Sequence, residues 1–245
     1  MKCLILAAGY ATRLYPLTKD FPKPLLKVGE KTILDWLLED IDASGLVDGY
    51  VVVSNHKYAD CFREWANAHR LTITVADDGT VTNETRLGAV MDIQYAIDRL
   101  DIKDDLLILA GDNVLDFSLV HFLRYAQTKG TSCAMRYWEE DEARLKKCGV
   151  SEIDGEERLL SLEEKPSAPK SRWATPPFYY YKKEDAARIR DAIDDGCGTD
   201  APGSLVAWMC QHSVWHSMEM PGKRYDIGDL ESYAAVQRSY RGIVR

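Results

Sequence analysis

The sequence predicts an α/β fold: a three-layer α/β/α, Rossmann-like mixed sheet of the nucleotide-binding kind, with a small antiparallel β extension. Two observations point there. Short β-branched runs alternate with segments of helical period through the first 148 residues, the rhythm of parallel strands joined by crossover helices. After about residue 149 the long helices stop, and strands separated by turn residues take over.

The elements follow in order. "KCLILA" (2–7) reads as a buried strand, and Ile33, Leu34, Leu37, Leu38 and Ile41 then fall on one face of a helix. "GYVVVS" (49–54), "LTITVA" (71–76) and "LLILAG" (106–111) are the next strands. Leu119, Phe122, Leu123 and Ala126 again share a helical face before the strand "TSCAMRY" (131–137). "GVSEID", "LLSLEEK" and "FYYYKK" are expected to form an antiparallel extension lying over the sheet. Helices near 202–212 and 229–241 close the chain. No repeat or low-complexity segment interrupts it, so 1–245 is expected to be one domain.

Composition removes several function classes. The apolar runs are far too short for a membrane span, and the N-terminus has one lysine and no cleavable apolar region, so a soluble, cytoplasmic protein is expected. Six cysteines without a C-x-x-C pair indicate neither a zinc site nor a disulfide scaffold. The net charge of −8 argues against a nucleic-acid surface. Residues 13–31 reverse that balance: Arg13, Lys19, Lys23, Lys27 and Lys31 face only Asp20 and Glu30. A small basic field in an acidic chain suits a small polyanion.

That field lies where an open α/β sheet places its ligands, at the carboxyl end of a strand. "LILAAG" ends at Gly9, after which backbone N–H groups can turn inward as an anion cradle. Thr12 adds a hydroxyl, Arg13 a forked donor and Lys23 a point charge. Pro16, Pro22 and Pro24 stiffen the loop and reduce the entropy lost on binding. Asp112 follows the strand "LLILAG", which brings a hard oxygen ligand to the same end of the sheet; alone, "G-D-N" is equally good turn chemistry.

"LAAGYATRLYPLT…PKPLL" resembles the signature of the sugar-phosphate nucleotidylyltransferases. "LILAGDNVL" (107–115), "LLSLEEKPSAPKS" (159–171) and "RYDIGDLESY" (224–233) are similar to further motifs of that family, in the same order, and the wording is nearest to the glucose-1-phosphate thymidylyltransferases. The resemblance implies a transferase of nucleotide-sugar biosynthesis that joins dTTP, UTP or CTP to a sugar 1-phosphate with release of pyrophosphate. Residues 1–148 would be its nucleotide-binding part, and 149–245 its acceptor-binding part with the C-terminal helices. It implies Leu6, Ala7, Ala8, Gly9, Thr12 and Arg13 at the nucleotide, Asn83 and Gly88 at the base, and Glu164 and Lys165 at the acceptor. Arg13 and Lys23 carry the catalytic charge, and Asp112 and Asp226 hold Mg²⁺. The expected partners are the triphosphate and a phosphorylated small molecule, with no nucleic acid and no membrane; a homo-oligomer is compatible with the sequence.

The attacking phosphate monoester is anionic near neutral pH, its second pKa being about 6, so no general base is required. The five histidines form no visible constellation with serine or cysteine. Two other readings remain open: a cytidylyltransferase acting on an alcohol phosphate such as phosphocholine, and a non-catalytic nucleotide-sugar-binding subunit. Three departures stand out. Ala11 occupies a glycine position of the loop, Pro176-Pro177 replace a small residue and glycine, and Asp229 replaces threonine. The chain also ends before the C-terminal helical segment of the longer relatives, so regulation through one is not expected.

Overall fold

The structure, a computed structural model, describes residues 1–244. The chain forms two compact units, one made of Met1–Arg86, Ala110–His121 and the chain from Pro221 on, the other of Leu87–Leu109 and Phe122–Met220.

In the first unit Lys2–Leu6 pairs in parallel with Gly49–Ser54, from Lys2 opposite Gly49 to Leu6 opposite Val53, and Gly49–Ser54 pairs in parallel with Ile73–Asp77. Parallel neighbours need a crossover, and the helices Ile33–Asp42 and Ala59–Ala68 supply it. The run Tyr50–Val53 is buried on both faces, the pattern of an interior parallel strand. The first helix starts on a capping box: Thr32 Oγ1 accepts from the Asp35 N–H at 3.0 Å, and Asp35 Oδ2 accepts from the Thr32 N–H at 2.9 Å. A short antiparallel ribbon joins Asn113–Leu115 to Arg224–Asp226, with Asp226 opposite Asn113. The last helix, Leu230–Ser239, is capped by Asp229, whose side chain accepts from the Ser232 N–H. Aspartate serves as an N-cap as well as the threonine it replaces, which accounts for that departure.

The second unit is a mixed sheet. Phe178–Tyr181 runs antiparallel to both Leu106–Ala110 and Ser132–Trp138. The strands Gly149–Ile153 and Leu159–Glu164 form a hairpin, and Trp173–Ala174 stitches it to Ser132–Trp138. This corrects the expected stacking: the antiparallel strands continue the sheet edge-on through backbone hydrogen bonds and do not lie over it. The short strand Trp173–Ala174, invisible as a pattern at two residues, makes the in-plane connection. A strand the sequence reading missed, Trp215–Glu219, pairs in parallel with Ser132–Trp138. Its five residues follow a helix directly and mix polar with apolar, so no alternation announces them. The helix Gly203–His212 packs on Leu159–Glu164. Among the described residues, no helix is long and apolar enough to cross a membrane.

Candidate active site

In the first unit, residues that adjoin the predicted site residues share one buried cluster: Leu14, Leu26, Val28, Ile33, Val114, Ile227, Val236 and Tyr240. Leu14 is one residue from Arg13, Val114 two from Asp112, and Ile227 one from Asp226. Burying these apolar neighbours draws the signature loop and the ribbon to one place.

The loop after the first strand is held from behind. Ala7 N–H donates to the Val53 carbonyl at 2.9 Å, and Asn55 Nδ2 donates to the Ala8 carbonyl at 2.8 Å. Ala11 then adopts φ 46° and ψ 44° and caps the turn Thr12–Leu14. The position does require the left-handed region that a glycine favours, and alanine adopts it at a cost of roughly 1–2 kcal/mol. The Thr18 hydroxyl fixes this corner by donating to the Ala11 carbonyl at 2.8 Å. Gly9, Thr12 and Arg13 remain exposed. Arg13 makes no hydrogen bond or ion pair among the described residues, so its guanidinium is available to an incoming anion.

Lys23 is buried in the turn Lys23–Leu25, and its Nζ donates to Asp112 Oδ2 at 2.9 Å. Asn113 Nδ2 donates to Asp112 Oδ1 at 2.6 Å, and Arg224 Nη1 reaches Asn113 Oδ1 at 2.6 Å and Asp226 Oδ2 at 3.8 Å. Two cations and two carboxylates thus interleave along one ribbon. Burial works against the charge on Asp112, but the Lys23 ammonium, and behind it Arg224, hold its carboxyl below the usual carboxylate range. Asn113 and Arg224 were not predicted. Both lie inside quoted motifs, but only the antiparallel register, which sets Asp226 opposite Asn113, shows that they connect the two aspartates.

The donor set fits a hard cation. Asp112 uses one lone pair on each oxygen and keeps others, and Asp226 is exposed. No cluster of three or more His, Cys, Asp or Glu among the described residues could hold an ion alone. Such a pair suits Mg²⁺, which takes one or two carboxylates and completes its shell with phosphate oxygens and water.

The other predicted residues divide between the units. Asn83 is exposed and opens the turn Asn83–Thr85 in the first, its carbonyl accepting from Arg86 Nη1 at 3.2 Å. In the second, Gly88 has φ 92°, and a Cβ there would come within 2.5 Å of the Thr199 carbonyl oxygen. The fold itself therefore demands this glycine, quite apart from any base contact. The Thr199 and Asp200 carbonyls accept from the N–H groups of Val90 and Ala89, at 3.0 and 3.2 Å, capping the helix Ala89–Leu100.

Glu164 and Lys165 stand beside this cap. A Cβ on Gly203 would strike the Glu164 carboxylate, and one on Gly149 would lie 3.3 Å from it, so two glycines make room for that side chain. Burial raises the Glu164 pKa, with Asp200 adding to the effect and Lys165 opposing it. Lys165 is left-handed at φ 48°, its N–H donating to the Cys148 carbonyl at 3.0 Å, and its Nζ is 3.9 Å from Asp200 Oδ2. A non-glycine residue so placed is held there by its surroundings. Pro176 and Pro177 are close by: the Thr175 carbonyl lies 3.1 Å from the position of a Gly149 Cβ, and the Phe178 N–H donates to the Pro176 carbonyl in a tight turn around Pro177.

The nucleotidyl transferase family model matches residues 2–242. The chain belongs to this family. A Sulfolobus acidocaldarius protein provisionally named a mannose-1-phosphate guanyltransferase is 31% identical over 75% of the chain and 49% of its own length. The glucose-1-phosphate thymidylyltransferase of Mycobacterium tuberculosis is 28% identical over 75% of the chain and 62% of its own. The chain spans about half to three-fifths of the length of these curated relatives. A solved UDP-glucose pyrophosphorylase, complexed with UDP-glucose, superposes with a TM-score of 0.81 over 98% of this chain and 97% of its own, at 18% identity, and so shares the nucleotidyl transferase fold.

Proposed function

We propose that this nucleotidyl transferase joins a pyrimidine nucleoside triphosphate to a phosphorylated acceptor and releases pyrophosphate, a sugar 1-phosphate being the acceptor class best supported. The observation that carries this reading is the gathering of Arg13, Lys23, Asp112, Arg224 and Asp226 in one unit, around a loop with an exposed strand-end glycine. An acceptor phosphate oxygen attacks the α-phosphorus, a new P–O bond forms, the bond to the β-phosphate oxygen breaks, and pyrophosphate carries away the electron pair. The obstacle is repulsion between polyanions and charge accumulating in the transition state.

Each residue answers that obstacle locally. Arg13, exposed and without a partner, can fork onto two phosphate oxygens. Lys23 is fixed by Asp112, so its charge is already oriented when the triphosphate arrives. Asp112 and Asp226 would hold Mg²⁺, which supplies neutralisation of the phosphate charge when bound. Glu164 and Lys165 supply a hydroxyl acceptor and a phosphate partner on the acceptor side. Pro177 offers no N–H there, and its ring occupies the space a glycine would leave open, so glucose 1-phosphate is not the preferred acceptor.

Pyrophosphate release across five triphosphates and a panel of sugar 1-phosphates and alcohol phosphates tests the reading. Turnover with a sugar 1-phosphate supports it. Turnover confined to alcohol phosphates replaces it with the cytidylyltransferase reading, and no turnover with any pair leaves a nucleotide-sugar-binding subunit.

A further inference from the structure

The subsite beside Lys165 carries more negative charge than a phosphate ester with an uncharged tail can use. Glu164 and Asp200 both approach this lysine, Asp200 Oδ2 lying 3.9 Å from Nζ. Neither carboxylate is placed by chance of a flexible surface. Glu164 fills a slot cleared by Gly149 and Gly203, where any side chain would collide with it. Asp200 is anchored through its backbone: its carbonyl and that of Thr199 cap the helix Ala89–Leu100, and Gly88 packs so tightly on Thr199 and Asp200 that it leaves no room for a Cβ. Lys165 is itself pinned in a left-handed conformation by the Cys148 carbonyl. The backbones that bear these three charges are thus fixed before any acceptor arrives.

Consider a phosphate dianion arriving at Lys165. It competes with Asp200 for the ammonium, and Asp200 and Glu164 then face it as like charges. A hydroxyl elsewhere on the acceptor does not relieve this repulsion. A cationic group does. We propose that this subsite, on the transferase reading given above, selects a phosphorylated acceptor that also bears an ammonium group, with the phosphate on Lys165 and the ammonium against Asp200 and Glu164. Asp200 is the specificity-determining residue, since its carboxylate lies nearest the lysine. An amino sugar phosphate and a phosphorylated amino alcohol share this chemistry and differ in size.

The test uses matched pairs in which only the amine changes: glucosamine 1-phosphate against glucose 1-phosphate, and phosphoethanolamine against 2-hydroxyethyl phosphate. In at least one pair the wild type should favour the amine by about tenfold or more in kcat/KM, and Asp200→Asn should bring the ratio to within about twofold, mostly by improving the neutral acceptor. The pair that shows the effect identifies the sugar or the amino alcohol as the source. Asp200→Ser, which also keeps the capping carbonyl, serves if Asp200→Asn melts early. Equal use of amine and hydroxyl by the wild type in both pairs overturns the proposal, as does a variant that weakens all four acceptors alike. Calorimetric titration of the same four compounds separates this inference from the transferase reading. If no acceptor is turned over, that reading falls, and tighter amine binding lost in Asp200→Asn still upholds the selectivity, whereas equal binding overturns it.

Discussion

Lys23 Nζ lies 2.9 Å from Asp112 Oδ2, a buried ammonium against a carboxylate that also accepts from Asn113. Asp112→Asn should therefore do two things. It removes most turnover, an effect that EDTA reproduces in the wild type if the carboxylate holds Mg²⁺. It also leaves Lys23 without a counter-charge, at a stability cost of about 1–3 kcal/mol in denaturant melts. Unchanged activity in Asp226→Asn would remove that second carboxylate from the site.

Arg13 is exposed and unbonded, so Arg13→Ala should leave the melting temperature alone. In kinetics the same variant should lower kcat by about a hundredfold or more, the order seen on loss of one oxyanion donor. A rise in KM alone would show that the residue binds ground state and transition state equally.

Much of this site was legible because its residues sit in ordered motifs at strand ends. Arg13, Lys23, Asp112 and Asp226 could be named from that order, and the hydrophobic periods placed the parallel strands and the helix Ile33–Asp42. What could not be read depends on contacts between distant segments. Asp200 lies in "GTDAPG", a turn-forming stretch with no period, and only its carbonyl on Ala89 and its carboxylate near Lys165 show a role. Gly88 was read as a base contact, and the sequence could not show that Thr199 fills the space where its Cβ would be.

Ala11 tests the cost of the left-handed corner. Ala11→Gly relieves the strain but returns about 0.4–1 kcal/mol of unfolded-chain entropy, so its stability should change by less than about 1 kcal/mol. Ala11→Val, β-branched at φ 46°, should lose about 1–2 kcal/mol and slow turnover. Equal melting of the alanine and valine proteins would show that the corner relaxes.

Two glycine substitutions should part company. Gly88→Ala forces a Cβ against the Thr199 backbone at a φ of 92°, and a loss of about 2–4 kcal/mol is expected. Gly203→Ala meets only the far end of the Glu164 side chain, so its stability cost should stay below about 1 kcal/mol while the acceptor KM rises. The reverse order would contradict the packing described.

Glu164 supplies a pH signature. Burial raises its pKa in the folded protein above the unfolded value, so the folded state favours the protonated form. Any stability this gives is fully present below the unfolded pKa and is lost as pH rises through the folded one. Glu164→Gln should thus melt with the wild type near pH 4 and above it near pH 7. A gap that instead closes toward neutral pH would mean that the charged form is the favoured one.

The carbonyl cap on the helix Ala89–Leu100 has a use beyond packing. The amides of Ala89 and Val90 are bonded to the segment that bears Asp200, not to their own helix. They can exchange with deuterium only when that segment lets go, whereas the amide of Asp92 is held by Gly88 inside the helix. The protein thus contains its own spectator of the acceptor loop: two adjacent amides whose exchange, compared with that of the turn behind them, reads out in hours how often the loop opens and whether a bound acceptor closes it.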